Sequence, residues 1–272
     1  MIQIAKADGT SEAFDPHKLT ASLRRAGASA GVADHIAREV EKELYNGITT
    51  GEIYSHAFSH LRHEGHGRAA RYSLKRAMLD FGPSGFPFES YIAELFRAEG
   101  SSVLVDQIIQ GGCVEHEVDI VVQSGAETVY VEAKFHNTLG FATDLKTVLY
   151  VQARIEDIAK RHPGAKGLVV TNTKFTDRAI AYAQCRGLEL LAWDYPQSRT
   201  LQKRIDKAQV YPVTALTTLS RREKMALLAE REVLCTALPQ KKDALLRAGV
   251  GKGELGAVLE EVGALCVPGN DI

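Results

Sequence analysis

The chain has 272 residues, of which 45% are apolar and 25% charged, with a formal net charge of −1. That is ordinary globular composition with material for more than one core. It excludes a general polycation, so any nucleic-acid contact has to rest on local positive charge. No apolar run approaches the roughly 18 residues of a membrane span. The N-terminus lacks the basic-then-apolar layout of a secretory signal. Four scattered cysteines (Cys113, Cys185, Cys235, Cys266) contain no CxxC pair, which fits a reducing cytoplasm better than a disulfide framework or a zinc ribbon.

Residues 1–80 open with IQIAKADGTSEAFD, a strand, a turn at Asp8-Gly9 and a second short strand. A helix is expected from about Pro16 to Gly27, with Asp15 as cap and Pro16 at its first position. Another runs from about Ala33 to Tyr45, with apolar Ile36, Val40 and Leu44. A third starts after Gly47 with Thr50 as cap, is broken by Gly65 and Gly67, and resumes from Arg68 to Leu79. The stretch FGPSGFP (Phe81 to Pro87) holds two prolines and two glycines, which marks a linker and a domain boundary.

The segment 86–196 then gives a helix at Phe88–Ala98 and strands near Val103–Ile109, Glu117–Val122 and Thr128–Phe135. A long helix near Thr143–Arg161, the strand GLVVT, a helix at Thr176–Cys185 and the strand LELLAW complete it. This order predicts an α/β domain with a mixed sheet covered on both faces. Residues 213–266 read as helical, with Ser220 and Glu223 forming a capping box. The expected fold class is thus multi-domain α/β: an N-terminal α+β domain, a central αβββαβ mixed sheet and a helical C-terminal tail.

Chemistry concentrates on the central hairpin. If Gly125 and Ala126 form its turn, Asp119 lies roughly opposite Glu132. Like charges facing across a ladder destabilise a sheet, and a divalent cation would offset the repulsion. Glu132 and Lys134 point to one face of their strand, with Val129, Val131 and Ala133 on the other. Paired hard oxygen ligands suit Mg²⁺ or Mn²⁺. Such a cation polarises phosphate and lowers the pKa of water, while Lys134 stabilises charge on the phosphate in the transition state.

Asp119, followed after about a dozen residues by Glu132-Ala133-Lys134 in this order of elements, resembles the PD-(D/E)xK nucleases, and more closely their Mrr-type restriction endonuclease branch. The resemblance covers about 110 residues. It implies a restriction-endonuclease-like fold, DNA as substrate, Asp119 and Glu132 as metal ligands and Lys134 as a catalytic group. It further implies roles for Glu89 in FPFESYIAELF, on the first core helix, and for Gln152 in LYVQARIEDIAK, on the helix after the Glu-x-Lys strand. The plainer readings are a solvated Glu–Lys pair, a polar helix start for Glu89 and a satisfied core amide for Gln152.

Residues 4–80 resemble an ATP-cone, the nucleotide-sensing module of ribonucleotide reductases and their repressors. The likeness is carried by IAKADG, SEAFDPHKLTASLRRAG, the TTGEIY helix start and RAARYSLKRAM; Ala7 stands where the family has arginine. It implies ATP or dATP as an effector, and no GxxxxGK[ST] P-loop is present. Lys6 and Lys18 would meet phosphates as point charges, and Thr50 lies at an anion-favouring helix start. Arg71 and Lys75, four apart, would add positive contacts, against the alternative of a solvated basic face.

Two further patterns are weaker. His56, His60 and His63 share a helix face, with His66 just after; a polar face is the simpler reading than zinc. LLRAGVGKGELGAVLEE resembles a helix-hairpin-helix, and an ordinary interhelical loop accounts for it too. Trp193 reads as core. The expected function is a Mg²⁺-dependent, nucleotide-regulated DNA endonuclease, with a dimer supplying the two active sites that duplex cleavage needs. The rival is a nucleotide-responsive DNA-binding regulator with a silent nuclease fold. A third reading is a nucleotide-metabolism regulator that never touches DNA.

Overall fold

The structure is a computed structural model and describes residues 2–6 and 9–266. Ala7 and the Asp8 side of the expected turn lie outside the described residues. The N-terminal region holds β1 (Gln3–Ala5), β2 (Ser11–Ala13), α1 (Pro16–Arg25), α2 (Ala30–Lys42), β3 (Ile48–Thr49), α3 (Thr50–Glu64) and α4 (His66–Ala77). β1 is central in a small sheet of order β2-β1-β3. Asp15 caps α1 with Pro16 in its first turn, as expected. The cap of α3 is Thr49 rather than Thr50: Thr49 exchanges hydrogen bonds with Glu52 in a capping box, and Thr50 is the first helical residue. Gly65, at φ 149°, separates α3 from α4. Gly67 does not break the chain's helix. It sits inside α4, where an added Cβ would come within 2.9 Å of Ala264.

The central region follows as α5 (Phe86–Ala98), β4 (Ser102–Gln110), β5 (Glu115–Ser124), β6 (Glu127–Lys134), β7 (Ala142–Thr143), α6 (Leu145–Ala159), β8 (Lys166–Thr171), β9 (Lys174–Phe175), α7 (Asp177–Arg186) and β10 (Glu189–Leu191). Its five-stranded sheet has the order β10-β8-β6-β5-β4. β4, β5 and β6 are antiparallel neighbours, while β6, β8 and β10 run parallel. The mixed αβββαβ sheet is the expected fold class. β3, β7 and β9 are two residues each, too short to show a period of two in the sequence.

The C-terminal region is helical: α8 (Leu201–Ala208), α9 (Arg221–Ala229), α10 (Lys242–Ala248) and α11 (Leu255–Cys266). Ser220 and Glu223 form the expected capping box. The glycine turn between α10 and α11 starts at Gly249, φ 106°.

Three apolar clusters hold these layers. One lies between α1, α2 and α3. A second lies between the sheet and α6 and α7. The third joins α5, the opposite face of the sheet, the C-terminal helices and the far face of α4, through Ala70, Leu74, Ala77 and Met78. The FGPSGFP stretch therefore is not a free linker. Phe81 is fully buried and packs against Phe88, Tyr91 and Phe135, and α5 already begins at Phe86. Trp193 is buried in the same cluster. Among the described residues no helix is long and apolar enough to cross a membrane.

Candidate active site

The β5–β6 turn is Gly125-Ala126, with Ser124 paired to Glu127. Gly125 alone takes a positive φ of 60°, the pattern of a type II′ turn. The register runs to Ile120↔Val131 and brings Asp119 level with Glu132. There the ladder stops. Ala133 N–H donates instead to Asp119 Oδ2 at 2.7 Å. On the other side, the β4–β5 pairing is interrupted between Val105↔Ile120 and Gln107↔Val118, where Asp106 comes level with Asp119. Asp106 has a φ of 53°, an uncommon conformation for a non-glycine residue within a strand. Three acids thus stand in a row across β4, β5 and β6.

Glu89, half-buried on α5, faces this row. Burial, and then the charges of Asp119, Asp106 and Glu132, push its carboxyl up to about 7. Asp119 is pushed up to about 6 by burial and by Glu132, against the opposing pull of the Ala133 N–H. Carboxyl groups that resist ionisation through burial and mutual repulsion in one cleft are a recurrent sign of a functional site.

Glu132 is 4% exposed. Its two oxygens pair with Lys134, from its own strand, and with Arg154, from α6. Arg154 also donates to Tyr150 Oη at 3.0 Å and lies over that ring. Its buried Nε has no hydrogen-bond partner among the described residues. Neither Asp106 nor Arg154 was expected. The available signals were an acid within the apolar alternation of VLVDQIIQ and a charge beside Val151 and Ile155 on the buried stripe of α6.

Gln152 is not joined to the carboxylates. Its Nε2 donates to Glu156 at 2.9 Å, one turn along α6, and Glu156 pairs with Arg186. His56 and His60 of α3 and His66 of α4 have other partners. His56 and His60 both pair with Glu43, and His66 meets Thr217 Oγ1 at 2.8 Å. Among the described residues no group of three His, Cys, Asp or Glu side chains is disposed to hold a metal ion.

Of the five residues expected to meet nucleotide, Lys6, Thr50 and Lys75 line one cleft of about 640 Å³. Lys18 does not. It shares Glu12 with Lys6, at 3.2 and 2.7 Å respectively. Arg71 is directed elsewhere too, donating to the carbonyls of Leu265 at 2.8 Å and Ala264 at 3.3 Å, the last turn of α11.

Three family descriptions match the chain in succession: ATP cone domain over residues 2–79, restriction endonuclease of the Mrr catalytic type over 83–196, and AF1548-like, C-terminal over 211–266. With the fold, they define a multi-domain restriction-endonuclease-like protein. An uncharacterized protein of Archaeoglobus fulgidus is 36% identical over 125 residues, which are 46% of this chain and 71% of that protein. The crystal structure of a protein of unknown function, AF1548, matches with a TM-score of 0.57 and 28% identity over 67% of this chain and 98% of that one. The chain carries a Mrr-type restriction endonuclease domain, with an ATP-cone domain ahead of it and an AF1548-like domain behind it.

Proposed function

We propose that the chain is a divalent-metal-dependent DNA endonuclease whose activity is set by ATP or dATP at the ATP-cone. The observation that carries this reading is the convergence of Asp119, Glu132 and Glu89 beside Lys134 at the interrupted end of the β5–β6 ladder. Asp119 and Glu132 offer hard oxygen donors, and the raised pKa of Asp119 reflects burial first and then repulsion from Glu132, which a cation would relieve. When bound, Mg²⁺ or Mn²⁺ supplies Lewis acidity toward the phosphate and toward water.

The chain's own residues do the rest. Lys134, whose side chain is 40% exposed beside Glu132, would face the phosphate and stabilise its developing negative charge. Glu89, poised near neutrality, orients the attacking water and accepts its proton. Arg154 holds Glu132 in place from behind. Two copies of the chain would supply the two sites that a double-strand break requires.

The test is plasmid cleavage by the wild type and Asp119→Ala in Mg²⁺ and Mn²⁺, with and without ATP or dATP. Cutting that the substitution abolishes and nucleotide modulates is the expected result. A second reading, a nucleotide-responsive DNA-binding regulator, is favoured by one observation: both oxygens of Glu132 are already engaged by cations of the chain. On that reading neither protein cuts, and salt-dependent DNA binding persists in Asp119→Ala.

A further inference from the structure

The cleft that holds Lys6, Thr50 and Lys75 has two owners. Its opposite wall is built by Phe141, Lys174 and Asp194 of the restriction-endonuclease-like domain. About 640 Å³ is the size of a typical small-molecule site. Arg76 of α4 adds a fourth cation, held over the Tyr54 ring at 3.6 Å and by Gly51 O at 3.0 Å.

Two of the four cations are engaged within the protein, Lys6 by Glu12 at 2.7 Å and Arg76 as just described, and two are not. Neither Lys75 nor Lys174 has a side-chain hydrogen bond or ion pair to another described residue. Lys75 is open to the cleft, yet the surrounding walls hold its ammonium below the usual lysine range, with Lys174 adding to the effect and Asp194 opposing it. Phe141 is 61% exposed and, among the described residues, stacks on the His136 ring alone, centroids 6.1 Å apart. Cations converging from two sides suit a polyphosphate. An uncovered aromatic face beside them suits a base, and the Asp194 carboxylate is an acceptor for a ribose hydroxyl.

We propose that a nucleoside triphosphate binds across the two domains, its phosphates between Lys6, Lys75 and Lys174 and its base on Phe141. This rests on the nucleotide reading above and extends it, because a cone-only site would need neither Phe141 nor Lys174. The two groups are held side by side by the pairing of β7 with β9, in which Ala142, next to Phe141, faces Lys174. The same wall leads to the carboxylate row. Buried Asn172 donates to Met78 O, just beyond α4, at 2.9 Å and to His136 O at 2.7 Å, and accepts from His136 N–H at 2.9 Å. His136 follows Lys134 by two residues. A ligand that draws Phe141 and Lys174 toward α4 therefore loads the segment leaving the strand of Glu132 and Lys134.

The experiment titrates the full-length protein with ATP, dATP and inorganic tripolyphosphate by calorimetry, with Trp193 fluorescence as a second readout. Lys174→Ala should weaken ATP and tripolyphosphate binding alike, about tenfold. Phe141→Ala should weaken ATP about tenfold and leave tripolyphosphate unchanged. Lys174→Arg should restore most of the affinity, and melting without ligand controls for folding. In the wild type, ATP should slow amide exchange over residues 136–141. Wild-type affinity in both alanine variants, with loss in Lys75→Ala, confines the nucleotide to the cone and overturns the shared site. Absence of binding to the wild type overturns both this inference and the nucleotide reading beneath it.

Discussion

The carboxylate of Asp119 accepts the Ala133 N–H at 2.7 Å, taking the place of the next rung after Ile120↔Val131. The side chain closes the ladder at the point where β6 delivers Glu132. It does two jobs with opposite electrostatic demands: it satisfies a backbone donor, and it adds negative charge beside Glu132 and Glu89.

Two substitutions separate those jobs. Asp119→Asn keeps an acceptor for Ala133 and removes the repulsion, so without metal its stability should match or exceed that of the wild type. Asp119→Ala strands the Ala133 N–H and should cost about 1–3 kcal/mol. Urea unfolding in chelator measures both. Added Mg²⁺ or Mn²⁺ should then raise the melting temperature of the wild type and of neither variant. A metal response that survives in Asp119→Asn would remove Asp119 from the ligand set.

Arg154 and Glu132 form an ion pair in which both partners are largely buried. Without Arg154 the buried Glu132 keeps only the partly exposed Lys134 as a counter-charge, and one of its oxygens loses its partner. Arg154→Met should therefore destabilise the protein by about 3 kcal/mol. The double variant Arg154→Met/Glu132→Gln should recover most of that loss. Equal destabilisation of the two variants would mean that Arg154 contributes by packing alone.

Asp157 organises the loop between β4 and β5. It accepts from Cys113 N–H at 2.9 Å, His116 Nε2 at 3.0 Å and Lys160 Nζ at 3.0 Å. Hydrogen bonds from Cys113 and then His116 hold its carboxyl well below the usual aspartate range. A depressed folded-state pKa contributes stability above the unfolded value, near 3.8, and that contribution is lost as pH falls below it. Asp157→Asn should thus melt several degrees below the wild type at pH 7, with the gap narrowing as pH falls through 4 toward 3. A gap independent of pH would place its origin in shape, not charge.

Gly67 has no room for a side chain, because Ala264 of α11 lies where a Cβ would go. Gly67→Ala should destabilise by about 1–3 kcal/mol through overpacking, despite alanine's better helix propensity. Gly256, at an open position on α11, is the contrasting control, since an added Cβ there meets nothing within 4 Å. Denaturant titration of Gly67→Ala and Gly256→Ala makes the comparison.

The central sheet was legible because its strands carry period-two patterns and turn signals, and the Gly125-Ala126 turn sets the level of Asp119 against Glu132. Asp106 was not legible, since its place in the row depends on a register with β4 that no turn residue specifies. Arg154 and Gln152 lie two apart on α6, and only the packing reveals that the arginine, not the amide, reaches Glu132. Arg71 and Lys75 look equivalent on a helical wheel. The docking of α11 about 190 residues later gives Arg71 a different partner. Thr49 and Thr50 are adjacent hydroxyls, and the reciprocal bond from Glu52 decides between them.

The burial of Phe81 and the shared face of α4 bear on how such a chain is taken apart or rebuilt. Three family segments succeed one another along the chain, yet the seam between the first two runs through an aromatic cluster, not through solvent. Cutting there would leave each half with an oily wound, so truncations at this seam should aggregate. Grafting the cone onto another enzyme would require transplanting the matching surface with it. The first two segments of the chain are, in effect, cut from one cloth: they share a core, and neither has a complete surface without the other.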